Sequence, residues 1–176
     1  MKRIISLIAA GGMIITMAMT SYAAFGWNNH TAAEQAQDAQ KQSYVFKAGE
    51  TEIRVGADAD ALLPALGTPV KVFEQDSCAY QGKDKVYTFA GYEISVFPEK
   101  GINRVSDIYI PGSSSAATPE GIHIGSSKDD MIKTYGTGYT EAWGVYKYTL
   151  GDSVLVLYTT NNVIDTIEYQ LLTAAK

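Results

Sequence analysis

The stretch Ile53–Gly56 (IRVG) recurs as Ile122–Gly125 (IHIG), and this recurrence decides how the 176-residue chain is interpreted. After each glycine comes a polar, acid-containing segment and then an apolar one. Each ends on Gly-Thr, at Gly67 and at Gly136, with a spacing of 11 residues between the glycines in both cases. An apolar segment that ends on glycine predicts a short helix, here of about three turns, in each copy.

The residues that follow each predicted helix also recur in order. Their alternation of apolar and polar side chains predicts three strands per copy, joined by glycine and asparagine turns. The aligned pairs are Val86–Phe89 with Val145–Tyr148, Ile94–Phe97 with Val154–Leu157, and Val105–Ile108 with Ile164–Ile167. We therefore predict an α+β fold of two tandem repeats, each a short helix plus a mainly antiparallel sheet of three to four strands.

The boundaries of the two units follow from the turn and linker residues. Unit 1 spans 44–112 and includes a hairpin in front, from Tyr44–Phe46 to Glu52–Val55. Unit 2 spans 113–172 and begins in the flexible connection Pro111–Gly121. In unit 2, Ser127 and Asp130 have the spacing of a capping box at a helix start. In unit 1, Pro64 falls inside the predicted helix and is expected to shorten or kink it.

The N-terminus has the pattern of an export signal. Basic Lys2 and Arg3 precede an apolar run from Ile4 to Met19, and Ser21 to Ala23 supply the small residues of a cleavage site. The run is too short for a membrane anchor and no basic stop-transfer residues follow it. We predict a signal peptide over 1–23, cleavage after Ala23, and a flexible spacer over 24–43. The mature protein is then expected to be secreted or associated with the cell envelope, without a stable membrane anchor.

Charge and cysteine content exclude several classes of function. The net charge is −5, and removal of Lys2 and Arg3 with the signal peptide takes it to −7. Nucleic acids and anionic membrane surfaces attract basic patches, so neither is an expected partner. Cys78 is the one cysteine, so an intramolecular disulfide and a cysteine-rich metal site are both excluded. We predict no cofactor and no metal.

The repeat pattern resembles a known family. Ile-x-Ile-Gly, a short helix, Gly-Thr, then Tyr-x-Tyr, glycine and two apolar strands are similar to the repeat of the beta-lactamase inhibitory protein and of the SmpA/OmlA outer-membrane lipoproteins. The resemblance covers residues 50–170 and implies helices packed on a curved antiparallel sheet, a concave surface and a binding role. The chain departs from the family in having one predicted helix per unit and no disulfide. It also resembles uncharacterised secreted proteins of Gram-positive bacteria.

Three groups of polar residues are candidates for chemistry, and each has a structural alternative. Cys78 with His123 could form a thiolate–imidazole pair, but free cysteine is often a small buried hydrophobe. Aspartates at the helix starts could bind calcium, although helix capping explains them better. Glu93, Asp107, Asp152 and Asp165 could supply the carboxylate pair of a glycosidase, but no spacing selects a pair. We predict no catalytic residue.

Aromatic side chains are the best indication of a partner-binding surface. Tyr87 with Phe89 and Tyr146 with Tyr148 alternate along their strands, and Trp143 stands just before the second pair. If the helices cover the opposite face of the sheet, these five rings line an open surface suited to a protein or peptide. If the rings lie under the helices, they belong to the core, an alternative that polar Thr88 and Lys147 favour.

These observations favour a secreted, non-enzymatic binding module for a protein or peptide partner at or near the cell envelope. A secreted hydrolase, based on cysteine or on carboxylates, is the first alternative. A structural envelope component that associates with itself is the second, and the sequence leaves the oligomeric state open.

Overall fold

The structure is a computed structural model that describes residues 43–172. Ten β-strands and two helices are its regular elements. A two-stranded hairpin comes first, and an antiparallel sheet of eight strands follows. The strands are β1 (Phe46–Ala48), β2 (Thr51–Ile53), β3 (Lys71–Asp76), β4 (Lys83–Phe89), β5 (Tyr92–Glu99), β6 (Ile102–Ile110), β7 (Thr140–Ala142), β8 (Val145–Leu150), β9 (Ser153–Thr160) and β10 (Val163–Leu171). The predicted signal peptide and spacer lie outside the described residues, apart from Ser43.

The large sheet consists of two four-stranded meanders that meet edge to edge. Its order is β3-β4-β5-β6-β10-β9-β8-β7, and every neighbouring pair is antiparallel. The two meanders meet where β6 pairs with β10, with Ile110 opposite Ile167 and Asp107 opposite Gln170. Strands β3 and β7 are therefore the two edges. This mainly antiparallel sheet with helices confirms the predicted α+β class.

One helix precedes each meander. Helix α1 spans Ala59–Leu66 and helix α2 spans Lys128–Tyr135, eight residues each, so both are shorter than the predicted three turns. Asp58 caps α1 and Ser127 caps α2, each accepting a hydrogen bond from a backbone N–H of the first turn. Pro64 is accommodated within α1.

The capping box predicted at α2 is present. The Asp130 amide donates to Ser127 Oγ at 3.1 Å, and Ser127 Oγ donates to Asp130 Oδ2 at 2.6 Å. These hydrogen bonds from Ser127 lower the pKa of the Asp130 carboxyl. The predicted glycine stop is present too, because Gly136 has φ 79° and its amide donates to Ile132 O at 2.8 Å.

The glycine before each helix ties that helix to its meander. Gly56 N donates to Val105 O at 2.7 Å, and Gly125 N donates to Ile164 O at 2.8 Å. Close to each contact the sheet donates in return, from Val105 N to Ala57 O and from Ile164 N to Ser126 O. These bonds fix both helices over the same face of the sheet, with their apolar side turned toward it.

The core lies between that face and the helices. Successive strands contribute one apolar residue each to rows that run across the sheet, so that Ile94, Ile108 and Leu155 are almost fully buried. Met131 is the buried residue of α2 and Ala59 that of α1. Hairpin β1–β2 adds Phe46 and Ile53 to the same core. The opposite face of the sheet carries no helix of the described chain.

Candidate functional site

Trp143 is the most exposed large hydrophobic residue of the described part of the chain. It is 100% exposed and occupies the two-residue turn Trp143–Gly144 between β7 and β8, where Ala142 pairs with Val145. Both turn residues have positive φ, 56° and 79°, as a type I′ hairpin turn requires. Such positions favour glycine, asparagine or aspartate, so the fold gains nothing from a tryptophan there.

The turn that carries Trp143 is held firmly against β9. The Gly144 carbonyl accepts from Thr159 N at 2.9 Å and from Thr159 Oγ1 at 3.0 Å. The Gly144 amide donates to Glu141 Oε1 at 3.1 Å. A Cβ at Gly144 would come within 2.9 Å of Thr159 O, so only glycine permits this approach. The indole is therefore presented on a rigid base.

The other four predicted partner-binding rings do not form an open surface. Phe89, Tyr146 and Tyr148 are only 7%, 5% and 3% exposed, and Tyr87 is half-buried against the same core. The interpretation of these rings as an exposed binding face is therefore corrected, and the core alternative is the one the structure adopts. Of the five predicted residues, Trp143 alone is open to solvent.

Tyr146 and Tyr148 are buried because their rings point toward helix α2 and the loop after it. The ring of Tyr148 lies 5.3 Å from that of Tyr135 in α2, and Tyr146 lies 5.1 Å from Tyr139. Tyr148 Oη donates to Gly136 O at 3.0 Å, and burial raises the pKa of Tyr148 to about 12. The sequence signal that could have decided this is Lys147, the polar residue between the two rings.

The helix-free face of the sheet carries a cluster of carboxylates near its centre. Glu93, Tyr109 and Glu168 lie directly opposite one another on β5, β6 and β10, and Asp107 belongs to the next row. Burial, followed by a hydrogen bond and repulsion from Glu168, raises the pKa of Asp107 to about 9. The hydrogen-bonded pair of Asp107 and Glu168 therefore retains one proton between them at neutral pH. Hydrogen bonds from Asp107, Gln170 and Tyr158 oppose the effect of burial and lower the pKa of Glu168.

This cluster includes two of the residues considered for a glycosidase and one that was missed. Glu93 and Asp107 come together on neighbouring strands, and Glu93 raises the pKa of Asp107 further. Glu168, which the repeat alignment did not single out, completes the group and accepts from Tyr158 Oη at 2.8 Å. Each side of the group is tied by hydrogen bonds, including one from Thr88 Oγ1 to Glu93 at 3.1 Å. These hydrogen bonds to neighbouring strands account for the carboxylates as structural groups of the sheet, without a catalytic role.

Cys78 and His123 lie in different loops. Cys78 is exposed in the loop between β3 and β4. His123 lies in the connection from β6 to α2, where its Nδ1 is 2.8 Å from Ile124 O. Within residues 43–172 no group of three or more His, Cys, Asp or Glu side chains is placed to hold a metal ion. No helix in this part of the chain is long and apolar enough to cross a membrane.

A cleft of about 350 Å³ lies where the β3–β4 loop meets the sheet. The half-buried carboxylate of Asp84 and the paired rings of Tyr80 and Phe97, 5.2 Å apart, form part of its wall. No sequence pattern indicates this cleft, because its residues come from four strands and a loop. A β-bulge between Ser95 and Val96 adjoins it, a feature that could not be located from local pattern.

No protein-family model matches the chain, and no curated protein sequence matches it either. A solved structure of a cysteine-rich secretory protein from Staphylococcus aureus is similar to this chain with a TM-score of 0.44 and 13% sequence identity. The match covers 66% of this chain and 44% of that one, so the chain spans less than half of that protein's length.

Proposed function

We propose that the chain is a secreted, non-enzymatic binding module for a protein or peptide partner at or near the cell envelope, and that Trp143 anchors the partner. The observation that carries the proposal is the position of this tryptophan, fully exposed on a rigid turn whose backbone disfavours it. Residues held in unfavourable backbone regions concentrate at functional sites. Tryptophan is also the side chain most enriched in binding hot spots.

Two other turns of the same type supply a comparison within the chain. The β5–β6 turn begins with Lys100, φ 51°, and the β9–β10 turn begins with Asn161, φ 54°. Both residues are polar and exposed, as expected for a position outside the core. Trp143 occupies the corresponding place in the β7–β8 turn, and burial of its indole against a partner would remove a large apolar surface from water.

The secreted state and the repeat organisation belong to the same proposal. The matching caps, Asp58 and Ser127, and the matching contacts of Gly56 and Gly125 with the sheet support two tandem copies of one unit. An eight-stranded antiparallel sheet with a helix before each meander is in keeping with the resemblance to the beta-lactamase inhibitory protein and SmpA/OmlA family. Export is tested by the mass of the protein recovered outside the cytoplasm, which should begin at Ala24.

The binding role is tested by affinity capture from the envelope and medium of the producing organism. The exported protein is compared with Trp143→Asn, in which the turn keeps a residue suited to positive φ. Lys100→Asn, the same replacement in the β5–β6 turn, is the matched control. We expect the parent and the control to capture one common partner and Trp143→Asn to lose about 90% of it, as for a hot-spot residue. Equal capture by all three proteins would remove Trp143 from the interface.

A structural envelope component is the second candidate function, and the edge strand β3 favours it. All six residues of β3 are exposed, including Val72 at 45% and Phe73 at 50%, and Val70 just before it is 77% exposed. An exposed apolar edge is a template for pairing with another strand. Sedimentation at micromolar concentration tests this role with the edge-strand variant Phe73→Lys. The control is Val163→Lys, which introduces the same charge at an exposed apolar residue away from β3. A parent protein that is monomeric there would exclude self-association as the function.

A further inference from the structure

The cleft beside the β3–β4 loop is walled by groups of complementary kinds. Its volume of about 350 Å³ is at the small end of the range for ligand pockets, a size suited to one side chain or a small molecule. The paired rings of Tyr80 and Phe97 supply an apolar wall. The polar residues of the lining are one acid, one base, one amide and three hydroxyls: Asp84, Lys85, Gln75, Ser77, Ser95 and Ser106.

Asp84 is the group in this cleft whose bonding is incomplete. Its Oδ1 is shielded from solvent and has no hydrogen-bond partner among the described residues. A carboxylate oxygen that has lost its water without gaining a donor is unfavourable, and such atoms are rare in folded proteins. This oxygen can therefore still accept a hydrogen bond from a donor or contact a cation.

The two lysines that flank Asp84 in sequence do not pair with its carboxylate. Lys85 pairs with Glu74 at 3.5 Å, and residues 84 and 85 point to opposite faces of β4. Lys83, on the other side of Asp84, is also paired with Glu74 at 3.5 Å. Lys85 contributes to the cleft wall, but both lysine ammonium groups pair with Glu74, and Asp84 has no ion pair among the described residues.

We propose that this cleft binds the cationic side chain of a lysine or arginine from a peptide, with the ammonium or guanidinium group on Asp84 and the aliphatic stem against Tyr80 and Phe97. The charge selects a cation, and an N–H group of that cation supplies the missing donor when the carboxylate rotates to bring Oδ1, shielded in the structure, to the cleft. Aromatic rings attract cations as well as aliphatic stems. An anion would be repelled by Asp84, and a neutral apolar side chain would leave its oxygen unpaired.

The proposal does not depend on Trp143, which lies in a turn at the far edge of the sheet. The exported protein is titrated with N-acetyl-lysine methylamide, and the amide signals of Ser95 and Ser106 are followed by NMR. N-acetyl-norleucine methylamide, which has the same stem without the ammonium group, is the matched ligand. We expect saturable shifts with the lysine probe and at least about tenfold weaker binding of the norleucine probe, because the charge-assisted hydrogen bond is absent.

Variants of two aspartates locate the cation. Asp84→Asn is expected to weaken binding of the lysine probe about tenfold, while Asp76→Asn, which removes the same charge from an exposed residue outside the cleft, changes it less than about twofold. Equal binding of the two probes to the parent protein would overturn the proposal, and so would parent-like binding by a folded Asp84→Asn protein. Absence of any shift with both the lysine probe and its arginine counterpart at tens of millimolar would overturn it as well. Trp143→Asn is expected to bind the lysine probe as the parent does, so a failure here is distinguishable from a failure of the proposed function.

Discussion

Replacement of Trp143 by asparagine is expected to stabilise the protein. The indole is 100% exposed, so its removal gives up no burial in the described fold. The backbone at this residue has φ 56°, in the left-handed region, which costs an ordinary L-residue about 1–2 kcal/mol. Asparagine tolerates this region and occupies the same turn position at residue 161, where φ is 54°. We therefore expect a gain of about 1 kcal/mol in the free energy of unfolding.

Urea unfolding followed by far-UV circular dichroism measures this gain without use of tryptophan fluorescence. The midpoint should rise with no change in the slope, because the surface exposed on unfolding is almost the same in both proteins. For a domain of this size, a gain of about 1 kcal/mol corresponds to a rise in Tm of roughly 2–6 °C. Lys100→Asn, at the corresponding position with φ 51°, should show a gain of the same sign.

A loss of stability in Trp143→Asn would refute this reasoning. A loss of about 1 kcal/mol or more would mean that the indole packs against the folded chain, since a fully exposed side chain has no such contribution to give up. Trp143 would then be needed by the fold itself, and its exposure would no longer indicate that it is kept for a partner. A gain in stability together with a loss of capture would separate the two roles.

Three further changes test other parts of the structure. The pKa of Asp107 is raised from 3.8 to about 9, so its contribution to the free energy of unfolding is complete at acidic pH and is lost as the pH rises toward 9. The free energy of unfolding should therefore be lower at pH 8.5 than at pH 5.5, by an amount on the order of 2 kcal/mol, and Asp107→Asn should lack this difference. Tyr148→Phe removes the hydrogen bond to Gly136 O and should cost about 1 kcal/mol by urea unfolding, with an unchanged fold. Gly112→Ala would place a Cβ 2.9 Å from Asp165 O and should lower stability by about 1–3 kcal/mol, whereas Gly138→Ala, which meets nothing within 4 Å, serves as its control.

The parts of the fold that the sequence predicts are those set by short-range chemistry. Ser127 with Asp130 and the glycine at 136 act within one or two helical turns, and the structure has the cap and the stop at those residues. The strand alternation was sufficient for β4, β5, β6, β8, β9 and β10. Strands β3 and β7 were not predicted, because all their residues are exposed and edge strands have no buried side to produce an alternating pattern.

The candidate site was less predictable, since it depends on which face of the sheet the helices cover. Alternation places Tyr146 and Tyr148 on one side of β8, but either side satisfies the pattern. The choice is made by Tyr135 and Tyr139, whose contact with these rings follows from the packing of α2. The cleft at Asp84 could not be predicted from local sequence either, because it forms only when β5, β6 and the β3–β4 loop come together.

The two candidate binding sites occupy the same place in the order of elements. Each helix is followed by a hairpin, β3–β4 after α1 and β7–β8 after α2. The first hairpin has a six-residue loop that folds beside the cleft, and the second has the two-residue turn of Trp143. The edge strands β3 and β7 are seven strand spacings apart, at most about 34 Å, so one small ligand cannot reach both. A partner that contacts both must therefore be large enough to span the sheet. If excess N-acetyl-lysine methylamide displaces a partner held through Trp143, then that partner spans the sheet; if it does not, the two hairpins bind separate ligands.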